Sequence, residues 1–305
     1  MAQKLLHYDV LERLGEGARS TIYAVRDPST HKQYALKHVL RTDDKDLRFI
    51  EQVENEFEVC RQFDHPNLRR SYDLKIIKTL FMKKHEIFLL MELVEGKPLD
   101  ERCPTNLLDI VDTFIQAAQG LRSMHMLGFV HCDIKPNNIL RDEAGHVKII
   151  DFGQSCRIGT IKERIQGTPD YIAPEQVARR PVTQQTDVFN LGATLYWALT
   201  GRHIPTLYTT RGGKGENSFL LDARIDSPQD LNPKIPPALS NLVMDSISTS
   251  MRKRPADMDA FLTRLELSKH ILQKNTSPTP LSNYGAALRE RDRQAQEAEE
   301  QEDEV

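Results

Sequence analysis

The chain has few cysteines, and none are paired in sequence: Cys60, Cys103, Cys132 and Cys156 are scattered, with no CxxC spacing. Neither a zinc site nor a disulfide framework is indicated, and reduced thiols in a cytoplasmic protein are the expectation. No apolar run approaches the length of a membrane span. The N-terminus, MAQKLLHYDV, lacks the long apolar region of a signal peptide. A soluble intracellular protein is therefore expected. An excess of one charge is missing too, since 41 Lys and Arg against 44 Asp and Glu leave a formal net charge of -3. That balance argues against nucleic acid as the main partner. The local clusters Lys83-Lys84 and Arg252-Lys253-Arg254 read as solvated faces. No internal repeat is present, and 305 residues suffice for one large core or two lobes.

What is present concentrates between His131 and Gly153, HCDIKPNNILRDEAGHVKIIDFG. One short loop holds Asp133, Lys135 and Asn138. A polar turn and the apolar run from Val147 to Ile150 follow, ending in Asp151. Apolar strands around a polar turn predict a hairpin that presents both polar clusters at one edge. Phosphoryl transfer from a nucleotide needs such a set. One carboxylate orients and accepts the proton of the attacking hydroxyl, while a second carboxylate and an amide oxygen hold magnesium. A lysine adds fixed positive charge beside the migrating group.

Upstream, residues 8 to 40 predict three strands broken at Gly15, Gly17 and Asp27-Pro28-Ser29. The glycines of GEGARSTI let a backbone hairpin approach phosphates where side chains would obstruct. Asp43 to Phe63 reads as a helix with Ile50, Val53, Phe57 and Cys60 on its apolar face. Glu54 and Glu58 share one face and Glu56 lies about 200° away, so helical phase leaves open which glutamate faces Lys37. Strands are predicted over Ser71–Thr79 and Glu86–Val94, then a hinge at Glu95-Gly96-Lys97-Pro98. Asn106–Leu127 reads as an amphipathic helix and Thr186–Thr200 as a buried one, opened by Asp187 as an N-cap or helix-dipole partner. An irregular excursion over 201–237 and closing helices over Leu239–Ser250 and Asp257–Leu267 complete the body. The charged segment 271–305, ending acidic, reads as a disordered tail.

Together these stretches resemble the eukaryotic-type Ser/Thr protein kinases over most of residues 8–270. The resemblance rests on GEGARSTI, YALK at 34–37, HCDIKPNN at 131–138, DFG at 151–153 and GTPDYIAPE at 167–175, all in the family's order. It implies an α+β, bilobal fold, with a small β-rich N-lobe (8–94) and a larger helical C-lobe (95–270). It also implies ATP and Mg2+ as cofactors and the Ser or Thr hydroxyls of proteins as acceptors. Leu14, Gly15, Glu16, Gly17, Ala18, Arg19, Ser20, Thr21 and Ile22 would cover the nucleotide, with Ala35 and Leu140 around its base. Lys37 would contact the phosphates, with Glu56 as its partner by position relative to His65-Pro66-Asn67. Met91 resembles the gatekeeper, and the backbone of Glu92 and Val94 would meet the adenine edge. Asp133 matches the catalytic base, Lys135 the phosphate-stabilising lysine, and Asn138 with Asp151 the metal ligands. Thr168 belongs to the substrate platform, and Glu175 with Arg254 to a buried structural ion pair.

Three positions depart from the family pattern. The third loop glycine is Ser20, a variation that leaves nucleotide binding in place. Cys132 stands where an arginine usually binds an activation-loop phosphate, so activity independent of such phosphorylation is expected. Thr160 is the candidate phosphosite, with Arg157, Lys162 and Arg164 as nearby cations. Asn137 replaces an acidic residue of arginine-directed kinases, which argues against a strong preference for basic residues before the target. Cys132 and Cys156 are expected to be inert. The competing reading is a pseudokinase, a nucleotide-binding scaffold, against which stand Lys37, Asp133, Asn138 and Asp151, all present.

Overall fold

The computed structural model describes residues 3–17, 19–79, 84–205 and 225–276. Ala18, the central part of the excursion over 201–237 and the segment 277–305 lie outside the described residues.

The N-terminal part is a six-stranded sheet. Its strands are β1 (Lys4–Leu5), β2 (Tyr8–Glu16), β3 (Ser20–Arg26), β4 (Gln33–Leu40), β5 (Ser71–Lys78) and β6 (Lys84–Met91), in the order β1-β2-β3-β4-β6-β5. Neighbours are antiparallel throughout. Strand alternation sorts β6 between two faces. Ile87, Leu89 and Met91 pack with Ala35, Val39, Ile50 and Val53 beneath helix α1 (Leu47–Cys60), whereas Phe88 and Leu90 join Tyr8, Val25 and Leu36 on the other side. A short 3-10 turn, Asp44–Asp46, precedes α1, capped by the Asp43 carboxylate, which accepts from the Lys45 and Asp46 amides. The helix therefore starts a few residues later than Asp43.

The larger C-terminal part is built on α2 (Leu107–Met126), α3 (Pro174–Val177), α4 (Gln184–Thr200), α5 (Pro228–Leu231), α6 (Pro237–Ser246) and α7 (Met258–Thr276). Asn106 caps α2 by accepting from the Leu108 amide at 2.8 Å. In α4, Thr183 is the N-cap and left-handed Gly201 (φ 69°) closes the last turn onto the Trp197 carbonyl. Helix α7 runs to Thr276, beyond residue 270. The core extends from Val59 and Cys60 through the buried faces of α2 and α4 to Leu272. Among the described residues no helix is long and apolar enough to cross a membrane.

Short strands tie the functional loops to this core. β7 (Lys97–Pro98), β9 (Ile139–Arg141) and β10 (Val147–Ile149) form one antiparallel sheet, and β8 (Phe129–Val130) pairs with β11 (Cys156–Arg157). The expected hinge thus ends in a strand: Lys97 and Pro98 pair with Arg141 and Leu140. Gly96 makes the crossing possible, since at φ 143° a Cβ there would lie 2.9 Å from the Arg141 carbonyl.

Candidate active site

The β9–β10 hairpin presents two polar clusters at one edge, as its alternation predicts. Asp133, Lys135 and Thr168 form a closed triangle. The Lys135 ammonium donates to Thr168 Oγ1 at 2.9 Å and lies 3.1 Å from Asp133 Oδ2, and Thr168 Oγ1 donates to Asp133 Oδ1 at 3.1 Å. The Asn138 amide nitrogen donates to the Asp133 carbonyl at 2.8 Å, which turns its oxygen the other way. The loop is reached through a left-handed residue, Cys132 (φ 67°), and Asp151 is left-handed too (φ 64°). Each such non-glycine conformation costs about 1–3 kcal/mol and persists only where the surroundings enforce it.

Asp187 supplies that enforcement. It is fully buried, and its carboxylate accepts from the His131 and Cys132 backbone N–H groups at 2.8 Å each and from His125 Nε2 at 2.8 Å. Burial alone would raise its carboxyl, but the hydrogen bonds from His125 and the Cys132 backbone N–H hold it below the ordinary carboxylate range. Asp187 is thus no helix cap; Thr183 has that place, and Asp187 turns inward as a clamp on the loop. His131 completes the link. Its Nδ1 accepts from the Asp133 amide at 3.3 Å, leaving Nε2 to donate to the Ile150 carbonyl at 3.3 Å. One side chain therefore couples the backbone of Asp133 to the residue before Asp151.

Across the cleft, Lys37 on β4 donates to Glu56 Oε2 at 2.7 Å and lies 3.6 Å from Asp151 Oδ1. Burial alone would depress the lysine, yet Glu56 and Asp151 outweigh it and raise it above its ordinary value. The same lysine holds the Asp151 carboxyl down to about 2. Of the three glutamates, Glu56 is the one buried against Lys37. Glu54 pairs with Lys84 at 2.6 Å and Glu58 with Arg61 at 3.5 Å. Glu56 is not alone with Lys37: buried Arg69 donates to its Oε1 at 2.7 Å. A further residue the sequence left unmarked is Asn55, whose amide donates to the Ser155 carbonyl at 2.9 Å and joins α1 to the turn after Asp151.

Between these groups lies a cavity of about 220 Å³ bordered by Gly17, Ser20, Lys37, Asp133, Asp151 and Gly153, with Arg19 and residues of α1 at its rim. Leu14, half exposed, and Glu16, paired with Arg13 at 2.8 Å, lie on β2 outside it. Thr21 and Ile22 continue on β3, where Ile22 faces Lys37 across the ladder. Arg19 is held by Asp46 at 3.0 Å. Ala35 and Met91 are buried cross-strand partners. Glu92 has its N–H on the Arg70 carbonyl and its carboxylate on Lys148 at 2.6 Å. Val94 follows β6, and Leu140 sits on β9 opposite Lys148. The structure thus brings Gly17, Ser20, Lys37, Asp133 and Asp151 to one cavity, while Glu92 and Val94 border another.

Other expectations change. Glu175 and Arg254 form a buried fork, Arg254 Nη1 on Oε1 at 2.8 Å and Nη2 on Oε2 at 3.0 Å, so Arg254 leaves the solvated run. Asn137 donates to the Asp100 carboxylate, so an acid stands beside the amide. Cys132 and Cys156 are not unrelated thiols: their sulfurs are 3.9 Å apart. The pairing with Cys132, with Lys162 nearby, lowers Cys156 while Cys132 rises above the ordinary thiol range, so of the two Cys156 is the one with more thiolate character.

Comparison with known proteins agrees with this geometry. A family model described as "Protein kinase domain" matches residues 8–265. The chain is 30% identical to the serine/threonine-protein kinase PrkC of Bacillus subtilis over 78% of this chain and 36% of that protein. It is 36% identical to myosin light chain kinase family member 4 of Mus musculus, over 62% and 49% respectively. It is 27% identical to the serine/threonine-protein kinase PknD of Chlamydia pneumoniae, over 81% and 29%. The chain thus spans less than two thirds of the length of these relatives. A fold of sheet-rich and helical lobes, a hairpin carrying Asp133 and Asp151, and a family match across the whole body converge: the chain belongs to the protein kinase domain family.

Proposed function

We propose that this protein transfers the γ-phosphate of MgATP to serine or threonine hydroxyls of other proteins. The observation that carries the reading is the Asp133–Lys135–Thr168 triangle facing Asp151 and Lys37 across one cavity.

The donor set fits the nucleotide and its metal. An anionic Asp151 and the amide oxygen of Asn138 are the hard oxygen donors that magnesium takes. A Cβ at Gly15 would meet nothing within 4 Å, so the glycine is not filling a packed space, which agrees with a backbone kept open for a ligand. When bound, MgATP supplies the activated phosphoryl group and neutralises charge developing on its oxygens. The chain's own residues do the rest. Lys37, held by Glu56, fixes a positive charge against the phosphates. Asp133 orients the acceptor hydroxyl and takes its proton, worth about 10²–10⁴-fold. Lys135 offsets charge during transfer, and Thr168 holds both Lys135 and Asp133 in place. Positioning and fixed charge carry most of the acceleration, because the loose transition state asks little covalent work of side chains. On the base side, the backbone of Glu92 and Val94 would hold the adenine edge, with Met91, Ala35, Leu14 and Leu140 around the base.

The domain is taken to span residues 8–270, with its smaller lobe at 8–94 and its larger at 95–270. Four free thiols support a reducing, cytoplasmic location. The test is phosphoamino-acid analysis after incubation of the full chain with γ-labelled MgATP and a generic protein acceptor. Label on phosphoserine or phosphothreonine is expected. Nucleotide binding without transfer would favour the scaffold reading instead.

A further inference from the structure

Glu56 carries two cations, and they come from different parts of the fold. We propose that Arg69 is a positioning residue for Lys37: it takes one oxygen of Glu56 and fastens it to the strand leading into Asp151, so that α1 presents the other oxygen to Lys37. The inference rests on the kinase reading for the role of Lys37, but its geometry stands without it.

Lys37 and Glu56 belong to β4 and α1, both in the small lobe, so their 2.7 Å pair does not tie that lobe to the rest. Arg69 does. Its backbone N–H donates to the Ile149 carbonyl at 3.0 Å, and its neighbour Leu68 forms a parallel bridge with the same residue of β10. Asp151 lies two residues further along. The guanidinium then reaches Glu56 Oε1 at 2.7 Å with only 6% of the side chain exposed. Glu56 is fully buried, so an unpartnered Oε1 would be strongly unfavourable, and Arg69 is the group that satisfies it.

The charge pattern points the same way. Around Lys37 stand two carboxylates, Glu56 at 2.7 Å and Asp151 at 3.6 Å, with Cys60 and Ser71 as the nearby uncharged groups on α1 and β5. With Arg69 present, two cations balance two anions. Without it, one lysine is shared between both. The other polar anchor of α1, Asn55 on the Ser155 carbonyl, is neutral and does not touch Glu56.

The device is internal to the chain. Two of the three cations near Thr160, Arg157 and Lys162, are already engaged. Arg157 stacks over Phe129 at 4.0 Å and donates to the Leu127 carbonyl, and Lys162 donates to the Gln154 carbonyl. Arg69 fixes α1 with no modification.

The test uses the full chain as wild type, Arg69→Met, Glu56→Gln and the double variant. Hydrogen exchange of the α1 peptides is read without nucleotide, and kcat/KM for MgATP is read with it. Arg69→Met should expose α1 to faster exchange and lower kcat/KM about 10–100-fold, the usual effect of misplacing a positioning group. The double variant should be no worse than Glu56→Gln, because Arg69 acts through Glu56. Arg69→Lys should recover most of the loss. Unchanged α1 exchange with kcat/KM within about twofold of wild type, or losses that multiply in the double variant, would overturn the proposal. If Arg69→Met does not fold, Arg69→Gln takes its place with the same expectations. A wild type that transfers nothing would remove the functional reading alone, and the exchange comparison would still decide for or against the tie.

Discussion

Two buried carboxylates in this molecule have opposite surroundings. Glu175 is closed off: both oxygens accept from the Arg254 fork, Thr186 adds a hydroxyl at 2.9 Å, and Arg254 also donates to the Gln185 and Ser248 carbonyls. Glu56 is served by two separate cations, one of which, Lys37, borders the cavity and also faces Asp151. A buried two-pronged fork of this kind locks two segments together and offers nothing to a ligand. A carboxylate shared between two elements aims a charge into a cleft and keeps one cation when it loses the other. The first arrangement is a brace; the second is machinery.

That contrast yields its largest expected effect at the brace. Arg254→Met leaves Glu175 as a stranded buried charge and should cost about 3–5 kcal/mol of unfolding free energy, read by denaturant melts. Lys37→Met should cost only about 1–2 kcal/mol by the same melts, because Glu56 keeps Arg69. Its transfer rate should nevertheless fall about 10²–10³-fold, the usual result of removing one fixed charge from the reacting group. Equal losses of stability in the two variants would erase the distinction between brace and machinery.

A smaller effect separates the loop before Asp133 from the segment after Asp151. The left-handed Cys132 is held by Asp187, not by a phosphate-bound arginine, so Thr160→Ala should leave initial transfer rates within about twofold of wild type. Abolished activity would show that modification of this segment is needed. The smallest effect concerns the thiols. Cys156 is lowered to about 7 and partly exposed, whereas burial pushes Cys60 up to about 12. Since the thiolate is the nucleophile, alkylation of Cys156 should fall off as pH drops below about 7 and level off above it. Cys60 should stay unmodified across the same range. Mass spectrometry of the labelled peptides reads both.

The two regions also differ in how plainly the sequence announces them. The loop around Asp133 is legible because its polar residues are local. Asp133, Lys135 and Asn138 sit within six residues, and the hairpin that follows is marked by alternation and a polar turn. Helix α2 is legible from its apolar stripe and its Asn106 cap. The partners that hold these elements are not local. Arg69 and Arg70 are neighbours of identical type, yet one is buried against Glu56 and the other is half exposed against Asp64. Nothing in a one-dimensional pattern separates them. Asp187 opens an apolar run and so reads as a cap, because its partners at 125, 131 and 132 are brought to it only by the tertiary fold. Cys132 and Cys156 are joined by the β8–β11 pairing, which no cysteine spacing reveals. One signal was available. The buried residues of α1 include Ile50, Val53, Glu56 and Val59, a three-residue spacing in which a glutamate occupies the apolar stripe. A charge in such a place needs a buried partner, and that alone favours Glu56 over Glu54 and Glu58.

In the proposed reaction Asp133 is the group that takes the acceptor proton. The most direct measurement is transfer of labelled γ-phosphate by wild type and Asp133→Asn side by side, with nucleotide affinity determined for both. Wild type should label serine or threonine, while Asp133→Asn binds nucleotide with similar affinity and transfers about 10²–10⁴-fold more slowly. Equal transfer by the two proteins, or none by a wild type that binds nucleotide, would contradict it.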